Sequence, residues 1–575
     1  MDRNTVTGLI LIFVLMVAWA YFSMPTEEQL QQRRAEQARR DSIAAAQADT
    51  QQQDTVREEE MTQQQRKPAG IRQQQEEETP QMGMFSSASI SDTTRTVVET
   101  DLYTADFTNL GAGPAQITLK NYETWNKSPV QIIRDTTSSA YTLGFLTTEN
   151  YNVETDKLLF EQVTPENTIA VTGSDTRELR YALNVGEGQR LVMTYTIHGN
   201  SYTIDLEIAF EGLEREIIGG RIDFGWQPPL KYTEKDRVQE GTASSAYVYA
   251  GGELEQFKLD EAGRDEMTVN GNIDWVATRT RFFSQIIKSV TPTESALLIG
   301  QQTGPSGEAG TRHHYESYIS ADLTNENLAR FQMYVGPLAY SSLKTFDAHA
   351  YDMVDVGYSF IRWFSDPLVR WVMIPYFQFV DNFMGYGLAI ILFAVLIKIV
   401  LYPFTKKSFK SMAAMKELQP QIKEIQEKYS DNPQKQQEAT LKLYKKAKVN
   451  PLGGCLPMLF QFPILITLWR FFQNSILIRQ ESFLWASDLS APDYILSLPF
   501  SIPFLGEQIA GFVLLMTGAM IVQTQVTGGM GGGMGGGGGG MGAGQMKMLK
   551  YIFPLMLLFI FNNFAAGLSL YYLIY

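Results

Sequence analysis

The chain has 575 residues, too many for one ordinary domain, and its hydrophobic fraction of 44% accompanies a mean hydropathy of −0.14. This combination excludes a protein that is only membrane-embedded, while apolar runs of about 20 residues exclude a purely soluble one. The net charge of −14 argues against nucleic acid as a specific ligand, because phosphate binding needs a basic face. The single cysteine, Cys455, excludes an intramolecular disulfide and any two-cysteine redox site. His313 and His314 are adjacent, and neighbours on a strand point to opposite faces, so we expect neither a metal site nor another cofactor.

The first 91 residues of the chain predict an anchor followed by a tether. Residues 6–22 are uncharged and long enough to cross a bilayer, so residues 1–25 are predicted to be an uncleaved transmembrane anchor. The alternative is a signal peptide, because Ala18-Trp19-Ala20 has the small-residue pattern of a cleavage site. Residues 26–91 are rich in glutamine and glutamate and cannot bury enough apolar surface to fold, which predicts a low-complexity tether.

Residues 92–345 read as β-rich. Apolar and polar residues alternate in Thr96–Phe107 and Tyr202–Phe210, and glycine-containing turn signals separate such runs. This pattern over about 250 residues predicts a large antiparallel β-sandwich that folds by itself. The segment contains no nucleophile elbow, P-loop or metal-spaced cluster, so we expect it to have no catalytic role.

The chain becomes membrane-like from Tyr358 onward. Residues 358–382 mix aromatic residues with a few charges, which predicts an amphipathic helix in the membrane interface; the alternative is a juxtamembrane core helix. A shorter run, 495–505, contains two prolines and is predicted to lie at the outer membrane surface. Four further segments predict a helical membrane core within 383–575: 383–404, 452–473, 508–526 and 551–575.

The charges of the loops predict the orientation of this core. The segment from Lys406 to Lys448 has eleven lysines and five acidic residues, so the positive-inside rule places it in the cytoplasm. Its apolar residues recur at spacings of three and four, which predicts a helical hairpin over 406–448. The Gly-rich loop 527–546 is predicted to be a flexible cytoplasmic linker. Counting back through the spans makes the N-terminus cytoplasmic and residues 26–382 periplasmic.

Two polar residues stand out inside the apolar segments. Lys398 lies within 383–404, where a charge costs about 2.5–3.5 kcal/mol, so its side chain is predicted to face the bundle interior or water; the alternative is snorkelling to the surface. Gln461 lies in the middle of 452–473 and predicts either a hydrogen bond between helices or a place in the same wet cavity. The spans contain no deeply placed acidic residue, which disfavours an ion-coupled transporter.

The membrane half resembles the YidC-type membrane protein insertases. The motifs that carry the resemblance are Lys398-Ile-Val-Leu-Tyr-Pro-Phe, Asn450-Pro-Leu-Gly-Gly-Cys and Ala566-Gly-Leu-Ser-Leu-Tyr-Tyr, with a weaker match at Trp275-Val-Ala-Thr-Arg in the β-rich part. The order of anchor, tether, large outer domain and helical core is similar to the Gram-negative form of this family. The resemblance implies a periplasmic antiparallel β-supersandwich and a polytopic α-helical membrane bundle, whose groove opens to the cytosol and to lipid.

The resemblance also assigns residues to that groove. It implies that Lys398, Gln461, Tyr571 and Tyr572 line it, with lysine at a position where the family usually has arginine. Lysine keeps the positive charge but lacks the planar fork of a guanidinium group. The last span stops at Tyr575 without the family's usual asparagine and basic tail, so we expect that the C-terminus is truncated.

The implied function is transfer of nascent membrane protein segments from the cytosol into the inner membrane, without bond chemistry. The implied partners are nascent membrane proteins, the lipid bilayer, the ribosome and the Sec translocon. The resemblance leaves open whether the protein acts alone or together with the Sec translocon. One alternative is a channel or secondary transporter, which predicts inverted repeats that we do not find between 383–473 and 508–575. The other is a membrane-anchored carbohydrate-acting protein, which would need paired carboxylates in a cleft.

Overall fold

The structure, a computed structural model, describes residues 83–85, 93–134, 136–430, 432–447, 456–502, 505–526 and 554–575. The predicted anchor 1–25, nearly all of the tether 26–91 and the Gly-rich loop 527–546 lie outside the described residues. Two compact units make up the described chain: the smaller one holds the described residues of 404–456 and 520–557, and the larger one those of 78–403, 457–519 and 558–575.

Twenty strands between Arg95 and Pro337 form three sheets in the larger unit. The five-stranded sheet has the order β4-β3-β2-β1-β8 and contains β1 (Arg95–Glu99), β2 (Tyr103–Thr108), β3 (Gly113–Glu123), β4 (Pro129–Ile133) and β8 (Thr168–Ala170). The nine-stranded sheet has the order β14-β13-β16-β17-β20-β11-β10-β9-β7 and contains β7 (Glu161–Gln162), β9 (Thr176–Gly186), β10 (Gln189–His198), β11 (Thr203–Glu211), β13 (Ser245–Ala250), β14 (Glu253–Phe257), β16 (Ile273–Arg279), β17 (Phe283–Ser289) and β20 (Leu328–Pro337). The six-stranded sheet has the order β15-β18-β19-β12-β5-β6 and contains β5 (Tyr141–Thr147), β6 (Asn152–Glu154), β12 (Ile217–Trp226), β15 (Gly263–Asn270), β18 (Thr293–Thr303) and β19 (Arg312–Asp322).

Aromatic pairs between the sheets form the core of the β-domain. Phe224 of β12 packs against Phe331 of β20 with ring centroids 4.7 Å apart, and this contact joins the six- and nine-stranded sheets. Phe107 of β2 meets Tyr195 of β10 at 5.1 Å and joins the five-stranded sheet to the same nine-stranded sheet. The alternation of buried and less buried residues along β10 and β11 supplies such inward side chains. The predicted large β-sandwich is therefore confirmed.

One strand pair departs from the predicted antiparallel arrangement. β1 and β8 are parallel, with Val97 opposite Thr168, while the other strand pairs of the described sheets are antiparallel. A parallel pair needs a long crossover, and here the chain passes through β2 to β7 before β8 returns beside β1. Alternation within a strand cannot show this, because it fixes which residues face inward but not which strands are neighbours.

The helices of the described chain are α1 (Arg237–Ala243), α2 (Tyr340–Phe346), α3 (Arg362–Pro367), α4 (Ile374–Asp381), α5 (Tyr386–Glu417), α6 (Gln419–Lys428), α7 (Pro433–Lys446), α8 (Leu456–Asn474), α9 (Gly511–Val526) and α10 (Ala566–Ile574), and residues 554–561 are also helical. Shorter 3₁₀ segments span Thr155–Lys157, Ala350–Met353, Ser359–Ile361 and Ile476–Ile478, and a π-helical segment spans Leu368–Met373. By length and composition, one helical segment among the described residues, Tyr386–Pro403, suffices to cross a membrane, and Gly511–Gln523 is a shorter apolar helix.

Helical boundaries refine two predicted segments. Residues 359–381, where an interfacial helix is predicted, are helical throughout, and their position in the membrane interface stays a prediction. In the predicted hairpin, the first arm breaks at Leu418, before Pro420, because proline cannot donate the hydrogen bond that would continue the helix. The second arm begins at α7, where the Asn432 side chain accepts a hydrogen bond from Lys435 N at 3.0 Å.

Two apolar runs have structures that periodicity did not indicate. The predicted segment 551–575 is interrupted between residue 561 and Ala566, so its described part is two short helices and not one span. The described residues of the run 495–505 lie in a β-hairpin of two strands, β21 (Tyr494–Ile502) and β22 (Gly506–Ala510).

Candidate functional site

Lys398 lies on α5 at the end of its buried face. The side chains of Ile390, Phe393, Ala394 and Ile397 recur at helical spacing and are buried. Lys398 is one turn beyond Ala394, where this packing stops, so its side chain is exposed.

The ammonium group of Lys398 has an acceptor and a surrounding surface. Its Nζ donates a hydrogen bond to the main-chain oxygen of Tyr575 at 2.8 Å and lies 5.9 Å from the Tyr575 ring centroid. Val395, Ile399 and Tyr402 line a shallow concavity together with Lys398. The cation therefore occupies an open, mostly apolar depression, where a polar or negatively charged segment could approach it.

Gln461 on α8 lies beside Tyr571 and Tyr572 on α10. Its side-chain amide is next to both phenol hydroxyls but meets hydrogen-bond geometry with neither. Within the described chain, both polar atoms of the Gln461 amide and both hydroxyls are buried and unpartnered, as is Ser569 Oγ. An unsatisfied buried polar group lowers the stability of the fold by about 1–3 kcal/mol, so this cluster of polar groups is not explained by packing stability.

Tyr575 links the cation to this polar cluster. Its ring stacks on that of Tyr571 with centroids 5.6 Å apart and lies 6.4 Å from that of Tyr572. The structure therefore brings together the four residues that the resemblance assigns to the groove. Lys398 contacts Tyr575, which stacks on Tyr571, and Gln461 lies beside Tyr571 and Tyr572. Sequence reasoning missed Tyr575 as a contact, although it follows Tyr571 by four residues and a helix places such residues on one face.

The two adjacent histidines have separate partners. His313 Nδ1 lies 2.7 Å from the Tyr232 hydroxyl, whereas His314 Nε2 lies beside the Gln227 carbonyl oxygen. Burial lowers the pKa of His313, and the charge of Lys258 lowers it further, so the neutral ring is favoured. Both rings serve as packing and hydrogen-bonding groups of the β-domain.

A concavity on the nine-stranded sheet is relevant to the carbohydrate alternative. It contains two carboxylates, Asp175 and Asp205, and the two oxygens of Asp205 are held by His198 Nε2 at 2.7 Å and by Gln332 Nε2 at 2.9 Å. His198, Asp205 and Gln332 lie on β10, β11 and β20, which are neighbours in the sheet. Cross-strand pairing accounts for the arrangement, and Asp205 is not a free member of an acid–base pair.

The chain matches two protein families that together cover most of its described part. Residues 95–371 match the YidC periplasmic domain, and residues 378–575 match the 60Kd inner membrane protein family. A membrane protein insertase YidC of Chlorobium limicola is 34% identical over 100% of this chain and 93% of the relative. A membrane protein insertase YidC of Prosthecochloris aestuarii is 35% identical with the same coverage.

Solved structures resemble the chain more distantly. A crystal structure of an active YidC insertase covers 84% of this chain and 91% of its own, with 19% identity and a TM-score of 0.31. A putative aldose 1-epimerase from Escherichia coli K12 covers 43% of this chain and 99% of its own, with 9% identity and a TM-score of 0.28. At these scores, neither likeness supports a conclusion about function.

Proposed function

The chain belongs to the YidC family of membrane protein insertases, and from this premise we propose that it passes nascent segments into the inner membrane through a groove lined by Lys398, Gln461, Tyr571 and Tyr572. The observation that carries the proposed groove is the group of buried, unpartnered polar atoms beside an exposed lysine. In an apolar setting such atoms need water or a polar guest, and a client's polar tail is such a guest.

The proposed mechanism uses partition and electrostatics. The polar outer tail of a client dwells near Lys398, which shortens the low-dielectric distance that the tail must cross. The apolar stretch of the client then moves into lipid, and burial of about 25 cal/mol per Å² of apolar surface drives its release. In the proposed mechanism no covalent bond is made or broken, so the protein does not act as an enzyme.

The proposed orientation follows from the positive-inside rule. The N-terminus and the lysine-rich segment 406–448 are cytoplasmic, and residues 26–382 are periplasmic. The excess of lysines in that segment offers a positively charged surface on the side from which clients arrive, and we propose the ribosome and the Sec translocon as partners there.

Crosslinking tests the proposed groove. A photoreactive amino acid replaces Ile399 or Tyr402, which line the concavity beside Lys398, in the full chain. We expect both positions to crosslink to a ribosome-bound nascent chain that carries one membrane span. Leu515 on α9 is the matched control, because it is an equally apolar and 50% exposed residue of another helix. Crosslinks of equal yield from Leu515 would show that the client meets the whole bundle surface and not a groove.

The unpartnered polar groups give a second prediction. Gln461→Leu and Tyr571→Phe remove buried groups without partners, so each variant is expected to leave the free energy of unfolding unchanged or to raise it by about 1–3 kcal/mol. Both should slow client insertion, because the groove becomes less able to hold water or a polar tail. Thermal melting in detergent and protease protection of inserted client measure the two effects.

The control for this pair is Thr467→Val on the same helix as Gln461. The Thr467 hydroxyl donates to the Pro463 carbonyl oxygen at 2.8 Å within α8, so its loss changes no group of the proposed groove. We expect normal insertion from this variant. Marked destabilisation of Gln461→Leu with unchanged insertion would mean that the amide is a structural contact.

A further inference from the structure

The hairpin of β21 and β22 exposes apolar side chains to an unusual extent. Tyr494, Ile495, Leu496 and Phe500 are 39%, 56%, 49% and 61% exposed. Consecutive residues of a strand point to opposite faces, and Ile495 and Leu496 are both exposed. Both faces of the hairpin are therefore exposed at this point. A two-stranded hairpin is at best marginally stable in water, and this one would additionally hold large apolar groups in contact with water.

Polar contacts hold this hairpin in place at its base. Asn562 is fully buried; its Oδ1 accepts a hydrogen bond from Ala510 N at 2.9 Å, and its Nδ2 donates to the Leu505 and Gln508 carbonyl oxygens at 3.0 and 2.7 Å. The Tyr494 hydroxyl donates to Asn563 Oδ1 at 2.9 Å. The apolar side chains are therefore presented by an anchored element.

The apolar surface of the hairpin continues into a helix of the membrane half. β22 ends at Ala510 and α9 begins at Gly511, and the Asp493 carboxylate beside β21 accepts a hydrogen bond from Phe512 N at 2.7 Å. Leu515 of α9 is exposed as well. The thirteen residues from Tyr494 to Gly506 contain no charged side chain, so no ionised group in this run opposes contact of its apolar side chains with hydrocarbon.

We propose that the hairpin binds the lipid bilayer, with its apolar side chains in the outer leaflet beside the start of α9. Aromatic and aliphatic side chains without charges suit this boundary, and tyrosine is favoured at its polar edge. The hairpin would thereby fix the depth of α9 in the membrane. This inference goes beyond the insertase function and does not depend on the groove residues.

Spin labelling of the full chain tests the proposal. In a Cys455→Ser background, Ile495→Cys and Phe500→Cys carry a nitroxide after reconstitution into phospholipid vesicles. Collision rates with oxygen, which concentrates in hydrocarbon, and with a polar nickel chelate, which is excluded from it, report the environment of each label. Val290→Cys in the β-domain is the water control because it is 60% exposed, and Leu515→Cys on α9 is the lipid control.

We expect the ratio of oxygen to nickel collisions at both hairpin sites to be about tenfold above that at Val290, which corresponds to about 1.4 kcal/mol of exclusion. A ratio equal to that at Val290 would place the hairpin in water and overturn the proposal. Low accessibility to both reagents would also overturn it, because the hairpin would then be covered by protein, such as a second copy of the chain. Insertion activity measured on the same vesicles is a separate readout, so failure of this proposal leaves the proposed groove standing.

Discussion

Lys398→Glu is expected to reduce the insertion of clients with an acidic outer tail by at least about tenfold, or about 1.4 kcal/mol of transition-state free energy. Opposite unit charges 4 Å apart attract by about 4 kcal/mol at an effective dielectric constant of 20, and the substitution turns this attraction into repulsion. The smaller expected value allows for the exposure of Lys398, since solvent screens part of the interaction. Lys398→Arg keeps the charge and should retain insertion.

Protease protection of inserted client measures this effect. Clients with uncharged tails should be much less affected by Lys398→Glu, because the substitution changes their electrostatic energy little. Lys231→Glu is the matched control: this lysine is exposed in the β-domain, and the same charge change there should leave insertion unchanged. Full activity of Lys398→Glu on an acidic-tailed client would exclude the electrostatic role.

The second large effect concerns buried charges that join the β-domain to the loop after α8. Arg479 Nε donates to Glu234 Oε1 at 2.7 Å, and the two side chains are only 3% and 6% exposed. Arg281 of the β-domain donates to the Gln473 and Ser490 carbonyl oxygens at 2.8 and 2.9 Å, beside the end of α8. These contacts attach the domain to the C-terminal end of α8, the helix that carries Gln461.

A buried carboxylate supports this contact from the β-domain side. Glu240 Oε2 accepts a hydrogen bond from Arg281 N at 3.1 Å, and Oε1 accepts from Thr233 N at 2.8 Å. Burial raises the pKa of Glu240, and the nearby charge of Glu234 raises it further, although these backbone donors oppose the shift. The buried charges therefore depend on one another, and removing one leaves another without compensation.

Glu234→Leu is expected to lower the free energy of unfolding by about 3–5 kcal/mol, because the Arg479 guanidinium would remain buried without its negatively charged partner. Adding Arg479→Leu should recover most of this loss, since a buried pair replaced by apolar residues is often neutral. Denaturation in mixed micelles measures each step. The control is Glu207→Leu, which breaks the exposed pair with Arg330 and should cost about 1 kcal/mol or less. A cost for Glu234→Leu no larger than that of the control would show that the buried pair does not hold the domain in place.

Local sequence patterns determined the main elements of this protein. Period-two alternation identified the β-domain because each strand has one buried face, and apolar spacing with lysine excess identified α5 and the helices of 406–448. Lys398 and Gln461 were recognisable as candidate functional residues from sequence alone. A polar side chain inside a membrane-spanning apolar run raises the free energy of insertion, and such residues are usually functional. The pairing of Tyr571 and Tyr572 with them came from the family resemblance.

Only the tertiary structure decided which of these elements meet. The stacking of Tyr575 on Tyr571 and the contact of Lys398 with Tyr575 join residues that are up to 177 positions apart, and the Arg479–Glu234 contact spans 245. The prediction that the β-domain folds by itself was made without the Arg479–Glu234 contact, which sequence patterns do not reveal. A sequence pattern reports which face of a strand or helix is apolar, but the partner of that face is chosen by packing and by the satisfaction of buried polar groups across the whole fold.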